Sequence, residues 1–242
     1  MKRLTYLAFA IAFIFSILVL IFKWGERVSR TSAFDSSAEN RLVMIIDAGH
    51  GGADGGAVAP DGTSEAEINL SVAIKLDLIA ALFGTKTVLT RDSAHIDYPA
   101  GARTIAEKKV ADQRSRLAVI NGTPGAVLVS IHQNNFPSVT PHGAQTLYAA
   151  TAGSKELALR IQELLISFAD PTNTRGAIKA TDDIYLMRNA KCPAIILECG
   201  YLSNKDEFNR LTEGGYQTRL AAAIEASWLS LTKELEAVCV KG

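Results

Sequence analysis

Cysteine is scarce in this sequence, with only Cys192, Cys199 and Cys239 among 242 residues. Cys192 and Cys199 flank the apolar run PAIILE, and an extended run of that length holds their α-carbons about 20 Å apart, far beyond disulfide reach. No CxxC pair is present. We therefore expect neither a framework of disulfides nor a cysteine-based metal site.

An excess of charge of either sign is also missing, since 25 Lys and Arg residues balance 25 Asp and Glu residues. A nucleic-acid-binding protein normally carries a basic excess or a basic stripe. Neither feature is visible along the chain, so we expect no nucleic-acid partner. The zero balance by itself gives no positive information about a substrate.

Charged residues are absent from one long apolar run, residues 4–22, which follows Lys2 and Arg3. As a helix, this run would be roughly 28 Å long, close to the hydrocarbon thickness of a bilayer. Residues 23–25, KWG, follow it in place of the small-x-small site of a cleaved signal peptide. We therefore favour an uncleaved anchor over a signal, with the rest of the chain outside the cytoplasm.

The sequence divides into three parts on this basis. Residues 1–23 are the predicted transmembrane anchor or signal, and the polar residues 24–40 are a predicted linker. Residues 41–242 are expected to form a single domain, long enough to bury a sizeable core.

Alternating strand-like and helix-like segments predict the fold class of that domain. Continuous apolar runs such as LVMIID are typical of strands that are buried on both faces. Between the runs, apolar residues recur every three or four positions, as they do from Ile68 to Phe83. We predict an α/β fold with a mainly parallel central sheet of about six strands flanked by helices. The predicted strands are LVMIID, KTVLTRD, AVLVSIH, GAQTLYA, IYLM and PAIILEC, and the predicted helices lie near residues 68–83, 103–121, 154–168 and 216–238.

Three of the strongest strand candidates lead to side chains that bind metals or move protons. LVMIID leads to His50, AVLVSI leads to His132, and PAIIL leads to Glu198. In open α/β sheets, sites form outside the carboxyl ends of the strands. We therefore expect these three side chains to meet at one edge of the sheet.

The segment DGTSEAEINL supplies a further carboxylate. Ser64 and Glu67 have the spacing of a helix capping box, which would fold Glu67 back on the start of the helix. Glu65 would lie in the first turn, free to point at the strand ends. We favour Glu65 over Glu67 as a metal ligand.

Two histidines and one carboxylate are a common ligand set for catalytic zinc, with the fourth position left to water. Zinc lowers the pKa of that water towards about 7, and Glu198 would take its proton and pass it to the leaving group. The glycines around His50 would let substrate and metal approach the backbone. Purely structural histidines remain an alternative, whereas a phosphate loop is disfavoured because GHGGADGG lacks the lysine and hydroxyl of a P-loop.

Asp47 has two open roles. It can orient His50 as a hydrogen-bond acceptor, or it can satisfy loop amides. Four other residues are expected to be solvated or to form ion pairs only: His95, His142, Arg91 and Arg116.

Six motifs, in this order, resemble those of the zinc-dependent N-acetylmuramoyl-L-alanine amidases (the amidase 3 family): IIDAGHGGADGGA, EAEINL, VLTRD, RLAVIN, VSIHQNN and PAIILECGYLSN. The similarity covers residues 42 to about 236. It implies hydrolysis of the amide between the lactyl group of N-acetylmuramic acid and the L-alanine of the stem peptide, with peptidoglycan as the substrate. It also implies that His50, Glu65 and His132 hold one zinc ion per chain and that Glu198 is the catalytic glutamate.

The apolar N-terminal run, IYLMRN and the lack of wall-binding repeats are most similar to sporulation members of the family. That similarity implies action on spore cortex, ahead of muramic δ-lactam formation, in the space between the forespore and mother-cell membranes. Some relatives carry an inhibitory helix near the site, but FPSVTPHG is too short to hold one, so we expect control by expression or by an accessory protein. Other interpretations are a different zinc hydrolase, such as a peptidase, and a non-enzymatic wall-binding module.

The sequence departs from the family pattern at three positions. Ala48 stands where the family usually has proline, and Ala66 stands where it has lysine. Cys199 replaces a small or apolar residue beside Glu198, where a thiol could ligate the metal or become oxidised. None of these departures removes an expected ligand.

Overall fold

A computed structural model of the protein describes residues 42–239. The predicted anchor, residues 1–23, and the predicted linker, residues 24–40, lie outside the described residues. Within residues 42–239, no helix combines the length and the apolar character needed to cross a bilayer.

The domain is built around one six-stranded sheet. Its strands are β1 (Val43–Ala48), β2 (Thr87–Leu89), β3 (Ala126–Asn134), β4 (Gln145–Tyr148), β5 (Ile178–Lys179) and β6 (Ala194–Tyr201). They lie side by side in the order β2-β1-β3-β6-β4-β5. Every pair is parallel except β4 and β6, which are antiparallel. The predicted α/β fold with a mainly parallel sheet is confirmed.

Helices cover both faces of this sheet. They are α1 (Glu65–Leu82), α2 (Ile105–Gly122), α3 (Ser154–Leu164), α4 (Tyr185–Asn189), α5 (Lys205–Leu211) and α6 (Gly214–Cys239). A π-helical turn, Leu165–Ala169, continues α3. Along β1, Met44 and Ile46 pack into the core beneath α1, α3 and α6, whereas Ile45 packs into the core beneath α2 and α4. Burial on both faces explains why the central strands are continuous apolar runs.

The structure differs from the prediction at IYLM, which forms part of α4 and not a strand. Arg188 N donates to Ile184 O at 3.0 Å, and Ala190 N donates to Leu186 O at 2.9 Å, as in a helical turn. Four apolar residues are too few for periodicity to separate a strand from a buried helical turn. The sixth strand is instead β5, which has only two residues and leaves no pattern in the sequence. Helix α5 was also not predicted.

A buried carboxyl, Glu225 on α6, gives the fold a predictable pH response. Its Oε1 accepts a hydrogen bond from Thr85 Oγ1 at 2.6 Å, and its Oε2 has no partner among the described residues. Burial raises the pKa of Glu225 above its ordinary value of 4.5. Folding therefore favours the protonated form, so stability falls as pH rises from about 4.5 through the raised pKa.

We expect Glu225→Gln to remove this part of the pH dependence, because glutamine imitates the protonated carboxyl and cannot ionise. The measurement is the free energy of unfolding of both proteins between pH 4.5 and 8. The advantage of the variant should grow with pH and then level off. A constant difference across the range would contradict the assignment.

Candidate active site

The carboxyl ends of β1, β3 and β6 bring four distant residues together. His132 lies opposite Glu198 in the register of β3 and β6, and His50 follows the end of β1. Candidate ligand atoms of His50, Glu65 and His132 all lie within 4.8 Å of one another. Glu65 Oε1 is 2.9 Å from His132 Nδ1, and Glu65 Oε2 is 3.4 Å from His50 Nε2. We refer to His50, Glu65 and His132 as the His–Glu–His cluster.

The N-terminal cap of helix α1 positions Glu65 in the cluster. Ser64 Oγ accepts from Glu67 N, and Glu67 Oε2 accepts from Ser64 N, each at 3.4 Å. The predicted capping box is therefore confirmed. Glu67 is exposed, whereas Glu65 is buried and points at the strand ends.

Glu65 is held as an ionised carboxylate. Burial by itself would raise its pKa, but the hydrogen bond and charge of His132, the charge of His50 and the Gln133 amide lower the pKa to about 2. Ala57 N also donates to Oε2 at 3.0 Å. In turn, Glu65 raises the pKa of His132 although burial acts in the opposite direction. In the metal-free chain the ring of His132 therefore binds a proton more readily, and a metal ion must displace that proton in order to bind.

The glycines of the loop are required by the cluster itself. A Cβ atom at Gly49 would lie 2.3 Å from His132 Nε2, and one at Gly56 would lie 2.6 Å from Glu65 Oε2. We expected these glycines to admit a substrate and a metal to the backbone. In the structure, their clearest role is to let the cluster side chains pack against the loop.

His50 has a strained backbone that its neighbours hold in place. Its φ of +58° makes it the only non-glycine residue with positive φ among the described residues. Its carbonyl accepts from Arg91 Nε and from Arg116 Nη2, each at 2.7 Å. Arg116 also pairs with Asp47 and Asp112, as expected. Arg91 differs from the ion-pair prediction, because it donates to backbone carbonyls and forms no ion pair within the described part of the chain.

Asp54, which sequence reasoning missed, is the residue that orients His50. Asp54 Oδ2 lies 2.9 Å from His50 Nδ1, so the other ring nitrogen faces Glu65. The sequence left open whether Asp47 orients His50. In the structure Asp47 accepts hydrogen bonds from Ser130 Oγ at 2.6 Å and from Thr90 Oγ1 at 2.8 Å instead. The available signal was weak: a lone acidic residue in a glycine loop, four positions after His50.

Glu198 is a carboxyl that lies beside the cluster. Its Oε2 is buried and has no hydrogen-bond partner among the described residues. Burial raises the pKa of Glu198, and Glu65 adds to the effect while His132 opposes it. Glu198 shares a cavity of about 230 Å³ with His50 and His132. An unpartnered carboxyl at such a cavity can exchange a proton with a molecule bound there.

The remaining singled-out residues lie away from this chemistry. Cys199 is fully buried in the core beneath α1, α3 and α6, on the opposite face of β6 from Glu198, and burial raises the pKa of its thiol. His95 and His142 are exposed, as expected. All three cysteines are free.

The chain is similar to known proteins over most of its length. The family described as N-acetylmuramoyl-L-alanine amidase matches residues 44–227. The germination-specific N-acetylmuramoyl-L-alanine amidase of Bacillus subtilis (strain 168) is 32% identical over 224 residues, which cover 92% of each chain. The amidase LytC of the same organism is 28% identical over 213 residues, 84% of this chain and 39% of LytC.

A solved structure shares the fold and more than a third of the aligned residues. The CwlD amidase of Clostridioides difficile, solved in complex with the GerS lipoprotein, has a TM-score of 0.76 and 36% identity, and the match covers 80% of this chain and 99% of that one. A second N-acetylmuramoyl-L-alanine amidase, from Clostridium difficile 630, has a TM-score of 0.68 and 28% identity over 80% of this chain and 98% of that one. On the family match and the extent of these similarities, the chain belongs to the N-acetylmuramoyl-L-alanine amidases, which are peptidoglycan hydrolases.

Proposed function

We propose that the chain is a zinc-dependent amidase that releases the stem peptide from N-acetylmuramic acid, with Glu198 as the general base. The observation that carries the proposal is the His–Glu–His cluster, of which His50 and His132 line one cavity together with Glu198, whose Oε2 has no hydrogen-bond partner among the described residues. His50, Glu65 and His132 would hold one zinc ion per chain.

The donor set fits zinc. Ligands of a tetrahedral zinc ion at about 2.1 Å lie roughly 3.4 Å apart, and His50 Nε2 lies 3.4 Å from Glu65 Oε2. Glu65 is already ionised, as a ligand must be. His50 has a fixed hydrogen-bond partner on its other ring nitrogen, as metal-binding histidines usually have.

Zinc, when bound, supplies Lewis acidity to water and to the carbonyl oxygen of the substrate. Glu198 takes a proton from the attacking water and passes it to the nitrogen of L-alanine as the amide breaks. In the metal-free chain burial raises the pKa of Glu198, which favours the protonated carboxyl that donates to the leaving amine.

The zinc requirement is tested by removal and replacement of the metal. The purified chain, stripped with a chelator, should lose release of stem peptide from peptidoglycan, and one equivalent of zinc should restore it. Full release by the stripped chain would contradict the zinc proposal.

Asp54 is the positioning residue whose loss should weaken the metal site. Asp54→Ala removes the acceptor of His50 Nδ1, and loss of such a partner typically costs about 10- to 100-fold in metal affinity. Zinc affinity is measured by competition with a chelator. Asp61→Ala is the matched control, because Asp61 lies in the same loop but is exposed, and among the described residues its side chain bonds only to Thr63 N. Equal affinities in both variants would contradict the role of Asp54.

We also propose that the enzyme acts outside the cytoplasm, on spore cortex, and is tethered by residues 1–23. The support is the germination-specific relative and the apolar run after Lys2 and Arg3. Protein extracted from membranes should retain Met1, and a mature N-terminus near residues 32–37 would contradict the anchor.

The lipoprotein bound to the C. difficile CwlD amidase supports an accessory protein for this chain.

Two other functions remain as competitors. A zinc peptidase would share the metal chemistry but would cleave a plain peptide without the sugar. A wall-binding module would have no use for a cavity carboxyl such as Glu198, whose Oε2 is buried and has no hydrogen-bond partner among the described residues. Parallel turnover of a muropeptide and of its free stem peptide separates the alternatives.

A further inference from the structure

The cavity beside the His–Glu–His cluster has a second wall, formed by α2 and α4. Its lining residues on these helices include Lys109, Asp112 and Arg116 on α2 and Tyr185 on α4. Lys109 is the residue of interest, because its side chain is 46% exposed and its Nζ lies 3.2 Å from Asp54 Oδ2. Lys109 therefore lines the cavity and also contacts Asp54, the residue that orients His50.

Lys109 has hydrogen-bonding capacity to spare. An ammonium group carries three donors, and the described residues supply one acceptor, Asp54 Oδ2, which already bonds to His50 Nδ1. Asp54 also accepts from Gly56 N through Oδ1 at 3.2 Å. The negative charge of Asp54 is thus shared among three donors and leaves Lys109 incompletely neutralised.

The other cation of the cavity, Arg116, is fully engaged by the protein. Its guanidinium is buried and bonds to Asp47, to Asp112 and to the carbonyls of Ala48 and His50. Among the described residues that line the cavity, Lys109 is the cation that can bind an anion from solution.

The charged groups of peptidoglycan determine which part of the substrate can bind Lys109. The glycan strand of peptidoglycan is uncharged once its lactyl groups are in amide linkage, so the carboxylates belong to the stem peptide. The first of them is on the residue after L-alanine, about 6 to 7 Å of chain from the scissile amide. Lys109 lies at a comparable distance from the cluster, because one Asp54 oxygen, Oδ2, is 3.2 Å from Lys109 Nζ and 2.9 Å from His50 Nδ1.

We propose, on the basis of the proposed amidase function, that Lys109 binds the free carboxylate of the second stem-peptide residue. The stem peptide then lies along α2 and α4, and the glycan lies on the opposite side of Glu198. Lys109 is in this way a specificity-determining residue for the peptide.

Arg175 is the rival cation on the β4 side of the site and serves as the matched control. Its guanidinium stacks on the Tyr201 ring at 4.8 Å and donates to His142 O at 2.9 Å and Gln145 Oε1 at 2.6 Å. Gln145 is the register partner of Glu198, so Arg175 is near the site but is already bonded to the protein.

The test uses two muropeptides that differ only in whether the carboxylate of the second residue is free or amidated. The zinc-loaded full chain should prefer the free carboxylate by about 10-fold in kcat/KM, mainly through KM, as expected for one charge-assisted hydrogen bond. Lys109→Gln should reduce the ratio to near one. Lys109→Arg and Arg175→Gln should keep it. The ratio is unaffected by any loss common to both substrates, and the zinc content of each variant is measured alongside.

A ratio near one in the wild type, or an unchanged ratio in Lys109→Gln, would overturn the proposal. Loss of the ratio in Arg175→Gln with retention in Lys109→Gln would also overturn it, because the peptide would then lie on the β4 side. If the wild type cleaves neither muropeptide, the amidase function itself fails and the inference fails with it.

Discussion

We expect Glu198→Gln to lower the rate of stem-peptide release by at least about 100-fold while the chain keeps close to one zinc ion. A positioned acid or base is typically worth about 10² to 10⁴ in rate. Glutamine retains the shape of Glu198, whose Oε2 has no hydrogen-bond partner in residues 42–239 and which is not a member of the cluster. It cannot accept the proton of water or return one to the leaving amine.

Zinc content and stem-peptide release are measured on the two proteins side by side. Substrate binding should change little, because the group acts mainly in the transition state. Glu163→Gln is a suitable control, since Glu163 is exposed on α3 and pairs with Arg160. Full activity in Glu198→Gln would end the proposed mechanism. Loss of zinc together with activity would make Glu198 a fourth ligand and leave the base unidentified.

The second large effect is expected at Glu65. Glu65→Ala should remove most of the zinc, because it deletes the carboxylate that lies between His50 and His132. The fold should survive, since the capping box of α1 depends on Ser64 and Glu67 and not on Glu65. Metal analysis and circular dichroism measure the two properties.

Glu67→Gln is the matched variant two residues away. It should keep the zinc and cost at most about 1 kcal/mol of stability, the usual range for a capping interaction. The assignment of roles fails if Glu67→Ala strips the zinc and Glu65→Ala retains it.

The parts of the fold that could be predicted are those encoded locally. β1, β3 and β6 are buried on both faces and appear as apolar runs, so His50, His132 and Glu198 could be placed at their carboxyl ends. The capping box is also encoded locally, because both of its hydrogen bonds lie within one helical turn. It therefore allowed the sequence to distinguish the role of Glu65 from that of Glu67.

The parts that could not be predicted depend on contacts between distant segments or on very short elements. Arg91 holds the carbonyls of the His50 loop from 41 residues away, and no local pattern reveals it. Asp54 reaches His50 because Gly51 and Asp54 pair their backbones in a tight turn. The strand predicted at IYLM was wrong because four residues are too few for periodicity to separate a strand from a buried helical turn.

The most direct test of the central claim is identification of the bond that is cleaved. Purified peptidoglycan is digested with the zinc-loaded chain and with Glu198→Gln, and the products are analysed by mass spectrometry. We expect released peptides that begin with L-alanine and glycan strands that carry free lactyl carboxylates, with the wild type only. Cleavage within the stem peptide or the glycan, or equal release by both proteins, would contradict the claim.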